Sequence, residues 1–249
     1  MQDRQTTPTF PLKFYCAWYC PFAQRAWMAL LHKGLDFEYI EVDPYRESPW
    51  WLHISRNRSK VPVIVSSPGN ATESTTVIDS TRVLEYLEDL VPDRNPLYLG
   101  DANAKAELRF WGDHINERVV PYMYRFLEAH EPGDYRDDSR TALLEGLEEL
   151  ADAMSTEGPY FKGADLTAVD MLLVPFAYRV DALLGRYRDF ELPRSGETWS
   201  RYQRWYDNMR NTPLFQRTLT EPNSYEQRLI EFYLPYSRGE GQKDVTAVD

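Results

Sequence analysis

Residues 19–25 read Tyr19-Cys20-Pro21-Phe22-Ala23-Gln24-Arg25, and within them Cys20 is the side chain able to act as a nucleophile. Proline is favoured at the first helical position, which needs no intrahelical donor. Pro21 therefore predicts a helix start that leaves Cys20 at the N-cap, against free backbone N–H groups and the positive end of the helix dipole. A thiolate is stabilised there, and the ordinary thiol pKa of about 8.5 falls by one to several units. The alternative reading is an inert core thiol. Cys16 stands four residues earlier, and Cys16-x-x-x-Cys20 matches neither the usual redox pair nor a zinc knuckle. A buried thiol and an intramolecular disulfide both remain open for Cys16.

Two other segments have the chemistry to hold a ligand. Val61-Pro62 follows the polar run 55–60 and opens an apolar stretch. A trans-proline there marks an edge or a strand's first residue. A cis-proline would instead leave the Val61 backbone to pair with a peptide-like substrate, and the dipeptide does not choose between them. Asp79-Ser80 heads a helical run and reads as a helix cap. The same geometry can seat a carboxylate on free N–H groups, with Asp79 facing an ammonium, which would suit a small zwitterion. Thr167-Ala168-Val169-Asp170 is a capping box with Asp in the usual Glu or Gln position, and is read as structural. The four histidines, His32, His53, His114 and His130, are scattered. With no HExxH, serine elbow or glycine-rich phosphate loop, neither a metal nor a nucleotide is expected.

These residues need a frame, and the chain has two rhythms. Strands are predicted at 12–16, 36–42, 61–65 and 75–78, with helices at 21–33 and 80–90. That order is a compact α/β unit whose first crossover is long enough for parallel pairing. Beyond about residue 100 the strand signals stop. Helices are predicted at 102–130, bent or broken at Pro121, and at 139–154. Others follow at 167–184, bent or broken at Pro175, at 198–210 and at 223–234. The polar stretch 66–75, with Pro68-Gly69 and Asn70, reads as an exposed turn. The expected division is a domain over 1–92, a linker over 93–101, a helical domain over 102–237 and a tail over 238–249.

Composition bounds the partners. The 249 residues carry a net charge of -11, which argues against a nucleic-acid or anionic-membrane surface. Two cysteines exclude a disulfide-built scaffold. No stretch reaches membrane-spanning length, the start lacks a signal-peptide core, and a cytoplasmic chain is the expectation. Aromatics reach 14%. Trp18 beside Cys20, with Tyr122, Tyr124 and Phe126 around Pro121, is expected to line an apolar cleft for a second substrate.

In their order these features resemble the glutathione transferase family, in its omega-like, cysteine-dependent branch, over nearly the whole chain. The marks are the motif at 19–25, Lys60-Val61-Pro62, Asp79-Ser80 followed by Glu85-Tyr86-Leu87, and Asp165-Leu166-Thr167-Ala168-Val169-Asp170. The resemblance implies an α/β thioredoxin-like N-terminal domain plus an all-α C-terminal domain. It makes Cys20 the catalytic residue, with glutathione as co-substrate and Phe22 beside the thiol. Val61, before a cis-Pro62, would pair with the cysteinyl backbone of glutathione. Asp79 would take the γ-glutamyl amino group and Ser80 its carboxylate. Arg46, with Lys60 as a rival, would meet the glycyl carboxylate. The chain departs from the family where Asp79 replaces a usual Glu and where Asn57-Arg58-Ser59-Lys60 replaces Asn-Pro-x-Gly. The 66–75 loop is also longer than usual.

The resemblance further implies a homodimer, looks fungal rather than animal, and admits a biosynthetic role. Its leading activity is a glutathione-dependent thiol transfer or reduction, of the dehydroascorbate-reductase type, through a mixed disulfide on Cys20. Conjugation of glutathione to an electrophilic small molecule is the first alternative, and a non-catalytic glutathione-binding protein the second. The second substrate would be a small apolar, disulfide or electrophilic compound.

Overall fold

The computed structural model describes residues 12–67 and 74–241. It divides between Arg94 and Asn95 into two compact units. The first runs β1 (Leu12–Cys16), α1 (Pro21–His32), β2 (Phe37–Glu41), α2 (Pro49–Ile54), β3 (Val63–Ser66), β4 (Thr75–Ile78) and α3 (Ser80–Leu90). Its sheet has the order β2-β1-β3-β4, with β1 parallel to β2 and the other two pairings antiparallel.

Phe14, Val63 and Ile64 of the sheet are fully buried, as are Ala26, Met28 and Leu30 of α1 and Val83, Leu84 and Leu87 of α3. Each large apolar side chain among them contributes about 1.5–3 kcal/mol on leaving water. Lys33, just past α1, is itself buried and reaches Glu88 of α3 at 2.5 Å. That pair ties the end of one helix to the end of the other.

The register sets what meets at one end of the sheet. Cys16 pairs with Glu41, Tyr15 with Val63, and Val63 with Ile78. The chain therefore leaves β1 and β2, enters β3 and leaves β4 at the same edge. The turn before Cys20, the loop after Glu41, Val61-Pro62 and Asp79-Ser80 all gather there.

Most elements of this unit lie where the sequence places them, with two differences. β3 begins at Val63 rather than at residue 61, because Pro62 has no N–H to give a ladder. The helix α2 is not anticipated. Its signal is present: Ser48 caps it by accepting from the Trp51 N–H at 3.2 Å, and Pro49 takes the first position. The turn expected around Pro68-Gly69 and Asn70 lies outside the described residues.

The second unit is helical: α4 (Ala102–His114), α5 (Val120–Glu128), α6 (Asp134–Ala153), α7 (Ala168–Arg179), α8 (Gly185–Arg188), α9 (Glu197–Asn211), α10 (Pro213–Gln216) and α11 (Tyr225–Ser237). A π-helical turn, Ile115–Val119, joins α4 to α5, and another, Val180–Leu184, joins α7 to α8. Pro121 does not break the first long run. The π turn just ahead of it absorbs one extra residue, with the Val120 N–H bonded to Ile115. Nor does Pro175 break α7, which continues to Arg179; the irregular turn comes after it. The helix α6 starts five residues before the expected 139. Its first turn, Asp134-Tyr135-Arg136-Asp137, carries no apolar stripe, and Asp134 and Asp137 there complement the dipole. The helix α10 is also unanticipated, though Thr212-Pro213 repeats the cap signal of Ser48-Pro49.

Almost every side chain of α7 is buried, so it is the axis of this unit. Its start is held by the capping box of Thr167 and Asp170. The Asp170 carboxylate accepts from the Thr167 N–H at 2.8 Å, the Phe161 N–H at 2.7 Å and the Trp205 indole N–H at 2.8 Å. One buried carboxylate thus joins α7, the preceding loop and α9. Gly146 of α6 allows a close approach to the first π turn: a Cβ there would stand 2.6 Å from the Arg118 carbonyl oxygen. Among the described residues no helix is long and apolar enough to cross a membrane.

Candidate functional site

Cys20 is the N-cap of α1, with φ -80° and ψ 116°, and Pro21 opens the helix. The turn ahead of it closes through the Cys20 N–H on Ala17 O at 2.9 Å, and Cys20 O receives the Gln24 N–H at 3.0 Å. The thiol is partly exposed. Its Sγ lies 3.8 Å from the Val61 carbonyl oxygen, and the Val61–Pro62 bond is cis. Cysteine and Val-Pro turn are thus neighbours in space, as a peptide-like ligand on the thiol would need.

Cys16 is free and 1% exposed at the end of β1. Burial pushes its thiol well above the ordinary value, against a hydrogen bond with Tyr39 that pulls the other way. Tyr39 in turn donates to Glu41, and burial raises its own phenol. Of the two readings open for Cys16, the structure has the buried thiol.

At the head of α3, Asp79 adopts a left-handed φ of 77° and caps the helix. Its Oδ1 accepts the Thr81 N–H at 2.9 Å and the Arg82 N–H at 3.2 Å. The side chain is exposed. Ser80 is buried, and its Oγ accepts from Nη1 of Arg25 at 3.2 Å. The cap reading holds here, and both cap bonds fall on one carboxylate oxygen, Oδ1.

Arg46 and Lys60 are both exposed, on two loops that touch. Ser59 Oγ donates to Pro44 O at 2.7 Å, and the Ser59 N–H bonds the Ser55 hydroxyl at 3.1 Å. Arg56, Asn57 and Ser59 all take positive φ, which curls the departing Asn57-Arg58-Ser59-Lys60 segment back onto α2. Phe22 is partly exposed on α1, with the Arg25 guanidinium 5.2 Å from its ring centroid.

The expected second-substrate residues fall in both units, and each is described within its own. Trp18 is partly exposed in the turn before Cys20, its N–H bonded to Glu41 Oε1 at 2.9 Å. Tyr122 is partly exposed in the second unit, beneath the Arg125 guanidinium. Phe126 is 1% exposed and packs edge-on to Phe190 at 5.3 Å. It belongs to the core of the helical unit rather than to a ligand-facing wall, because its position on α5 turns it inward. Arg25, buried and bonded to Ser80, is a neighbour of the candidate residues that the sequence did not single out. Its signal was a cation on an otherwise buried helical stripe, five residues past the cysteine. Among the described residues no group of three or more His, Cys, Asp or Glu side chains could hold a metal.

A small mixed sheet with its helices, followed by an all-helical unit, is the architecture of the glutathione transferases. The N-terminal domain model of the glutathione S-transferases matches residues 19–90, and the C-terminal domain model matches residues 133–208. The chain belongs to that family. It is 28% identical over 177 residues to glutathione S-transferase DHAR2 of Arabidopsis thaliana, covering 71% of this chain and 74% of that one. Glutathione transferase Omega 3C of Trametes versicolor superposes with a TM-score of 0.73 at 29% identity, over 84% of this chain and 89% of that chain. The Tau class enzyme of mango, Mangifera indica, shares the fold with a TM-score of 0.75 at 19% identity, over 89% and 96%.

Proposed function

We propose that this chain is a glutathione-dependent thiol transferase or reductase acting through Cys20, as in the omega-like branch. The observation that carries the reading is a cysteine, not a hydroxyl residue, at the N-cap of α1 with Val61 O 3.8 Å from its sulfur. A hydroxyl at that place would suit holding the thiolate of glutathione for conjugation. A thiol can itself exchange with a disulfide. The Omega and DHAR names of two relatives support the same branch.

In this reading Val61 pairs with the cysteinyl backbone of glutathione, Asp79 and Ser80 hold the γ-glutamyl end, and Arg46 or Lys60 meets the glycyl carboxylate. The Cys20 thiolate, favoured by the helix head, attacks the glutathionyl sulfur of a mixed disulfide. The substrate leaves as its thiolate and takes a proton from water. A second glutathione thiolate then attacks the Cys20–glutathione bond, giving oxidised glutathione and restoring the Cys20 thiolate. One free glutathione thiol is oxidised for each mixed disulfide reduced, and it leaves joined to the transferred glutathionyl group as oxidised glutathione. By the family resemblance the protein works as a cytoplasmic homodimer, and analytical ultracentrifugation checks the assembly.

The test is steady-state turnover of glutathione with 2-hydroxyethyl disulfide, on the natural protein and Cys20→Ser. The variant is expected to lose about 10³-fold or more, down to the uncatalysed exchange. Equal rates in the two proteins, or none in either, would overturn the reading in favour of conjugation or simple binding.

A further inference from the structure

We propose that the helical unit carries a small-molecule site of its own: a cavity between the π turn Val180–Leu184, the loop 190–194 and α9, which binds a monocyclic amine as its ammonium. The cavity measures about 160 Å³. A space of that size holds one six-membered ring, as benzene fills an engineered cavity of about 150 Å³. Every wall residue belongs to the second unit, and the site goes beyond the glutathione reading.

The wall has an apolar and a polar side. Ala177, Val180, Phe190 and Leu192 supply carbon surface for a ring. The polar side centres on Tyr202, which is 1% exposed and whose buried hydroxyl meets no hydrogen-bond partner among the described residues. Buried polar side chains are paired in the large majority of cases, so a hydroxyl left over on a cavity wall marks a place for a guest's polar atom. Burial, and then the Asp181 charge, push this phenol above its ordinary value. It therefore keeps its hydrogen and can both donate and accept.

Tyr202 and Tyr206 lie one turn apart on α9, with ring centroids 6.4 Å apart and planes 24° from parallel. The Tyr206 hydroxyl donates to Asp181 Oδ2 at 3.0 Å, and both phenols feel the Asp181 charge. Both hydroxyls thus point toward that carboxylate, which also lines the cavity. Asp181 is exposed, so the polar pole stands at the mouth and the apolar surface lies within.

Charge selects the guest. Glu191 and Arg194 pair with each other at 3.5 Å and cancel. Arg210 stands 4.0 Å from Asp181 Oδ2 and is held by Asp207 at 2.8 Å. Asp181 Oδ1 takes no bond among the described residues. One uncommitted carboxylate oxygen therefore neighbours one uncommitted hydroxyl. An ammonium satisfies both, donating to the carboxylate and to a phenol lone pair, and the faces of the two tyrosine rings favour a cation. A carboxylate guest would be repelled by Asp181, and a neutral one would gain nothing from its charge.

The experiment is calorimetric titration of the natural protein at pH 7 with benzylamine, which is protonated there, and with benzyl alcohol, its neutral counterpart. Benzylamine is expected to bind saturably, with a Kd below about 1 mM and at least about fivefold tighter than the alcohol. Asp181→Asn should bring the two ligands to within about twofold of each other. Tyr202→Phe keeps the ring and removes only the unpartnered hydroxyl. It should fold with an unchanged or higher Tm and bind benzylamine about fivefold or more weakly. No saturable binding to the natural protein would leave the Tyr202 hydroxyl to water and overturn the proposal. Equal affinity for amine and alcohol overturns it as well, as does a Tyr202→Phe variant that binds benzylamine as tightly as the natural protein.

Discussion

The sulfur of Cys20 lies 3.8 Å from the carbonyl oxygen of Val61, forty-one residues further along the chain. Two turns that look unrelated in sequence come together, because β1 and β3 pair antiparallel with Tyr15 opposite Val63. Cys20 and the Val61 backbone are held beside one another by the same sheet.

That contact makes Cys20 the expected point of glutathionylation. Exposure to oxidised glutathione should add one glutathione to the intact mass of the natural protein and of Cys16→Ala. Cys20→Ser should stay unmodified. An adduct that persists in Cys20→Ser would place the reactive thiol elsewhere.

Cys16 should behave as the opposite kind of thiol. At pH 7 one cysteine is expected to react with a disulfide reagent such as dithionitrobenzoate, and the second only in denaturant. Burial raises its folded pKa, so the stability it contributes is complete below the ordinary thiol value of about 8.5 and is lost as pH rises through the higher folded one. The Tm of the natural protein should therefore decline above about pH 9 more steeply than that of Cys16→Ala. Parallel slopes would refute this.

In the helical unit, Asp170→Ala leaves the Trp205 indole and two backbone N–H groups without their acceptor. At about 1–3 kcal/mol for each stranded buried donor, the loss should reach about 3 kcal/mol or more in chemical denaturation. Trp205→Phe removes one donor and leaves the carboxylate its backbone donors from Phe161 and Thr167, so it should cost less than Asp170→Ala. The reverse order would mean that aromatic packing, not the carboxylate, holds α9.

Gly146→Ala places a methyl 2.6 Å from a backbone oxygen of the π turn. Backbone cannot swing aside as a side chain can, so a loss of about 1–3 kcal/mol is expected. The measurement is the urea midpoint. Glutathione affinity should be unchanged, since Gly146 lies in the second unit.

Much of this was legible in the chain. Pro21 after Cys20 marks a helix start, the Thr167–Asp170 spacing marks a capping box, and β1, β4 and α3 fall on their predicted residues. Each is a local matter: a proline's missing N–H, a carboxylate three residues from a hydroxyl, or apolar side chains repeating with the helix. The neighbourhood of a few residues determines it.

Other features depended on which segments meet. The Val61-Pro62 dipeptide does not declare its isomer. Phe126, on a stretch rich in aromatics, turned inward onto Phe190 when α5 packed. The Arg25–Ser80 bond spans fifty-five residues, and the fit of Gly146 to Arg118 joins α6 to a π turn that no local pattern announces. Sequence alone determined most of the elements and the place of Cys20 at the head of α1, because backbone chemistry and periodicity act between near neighbours. Tertiary structure decided which groups surround Cys20 and which side chains are spent on the core, because packing and buried hydrogen bonds act between residues distant in the chain.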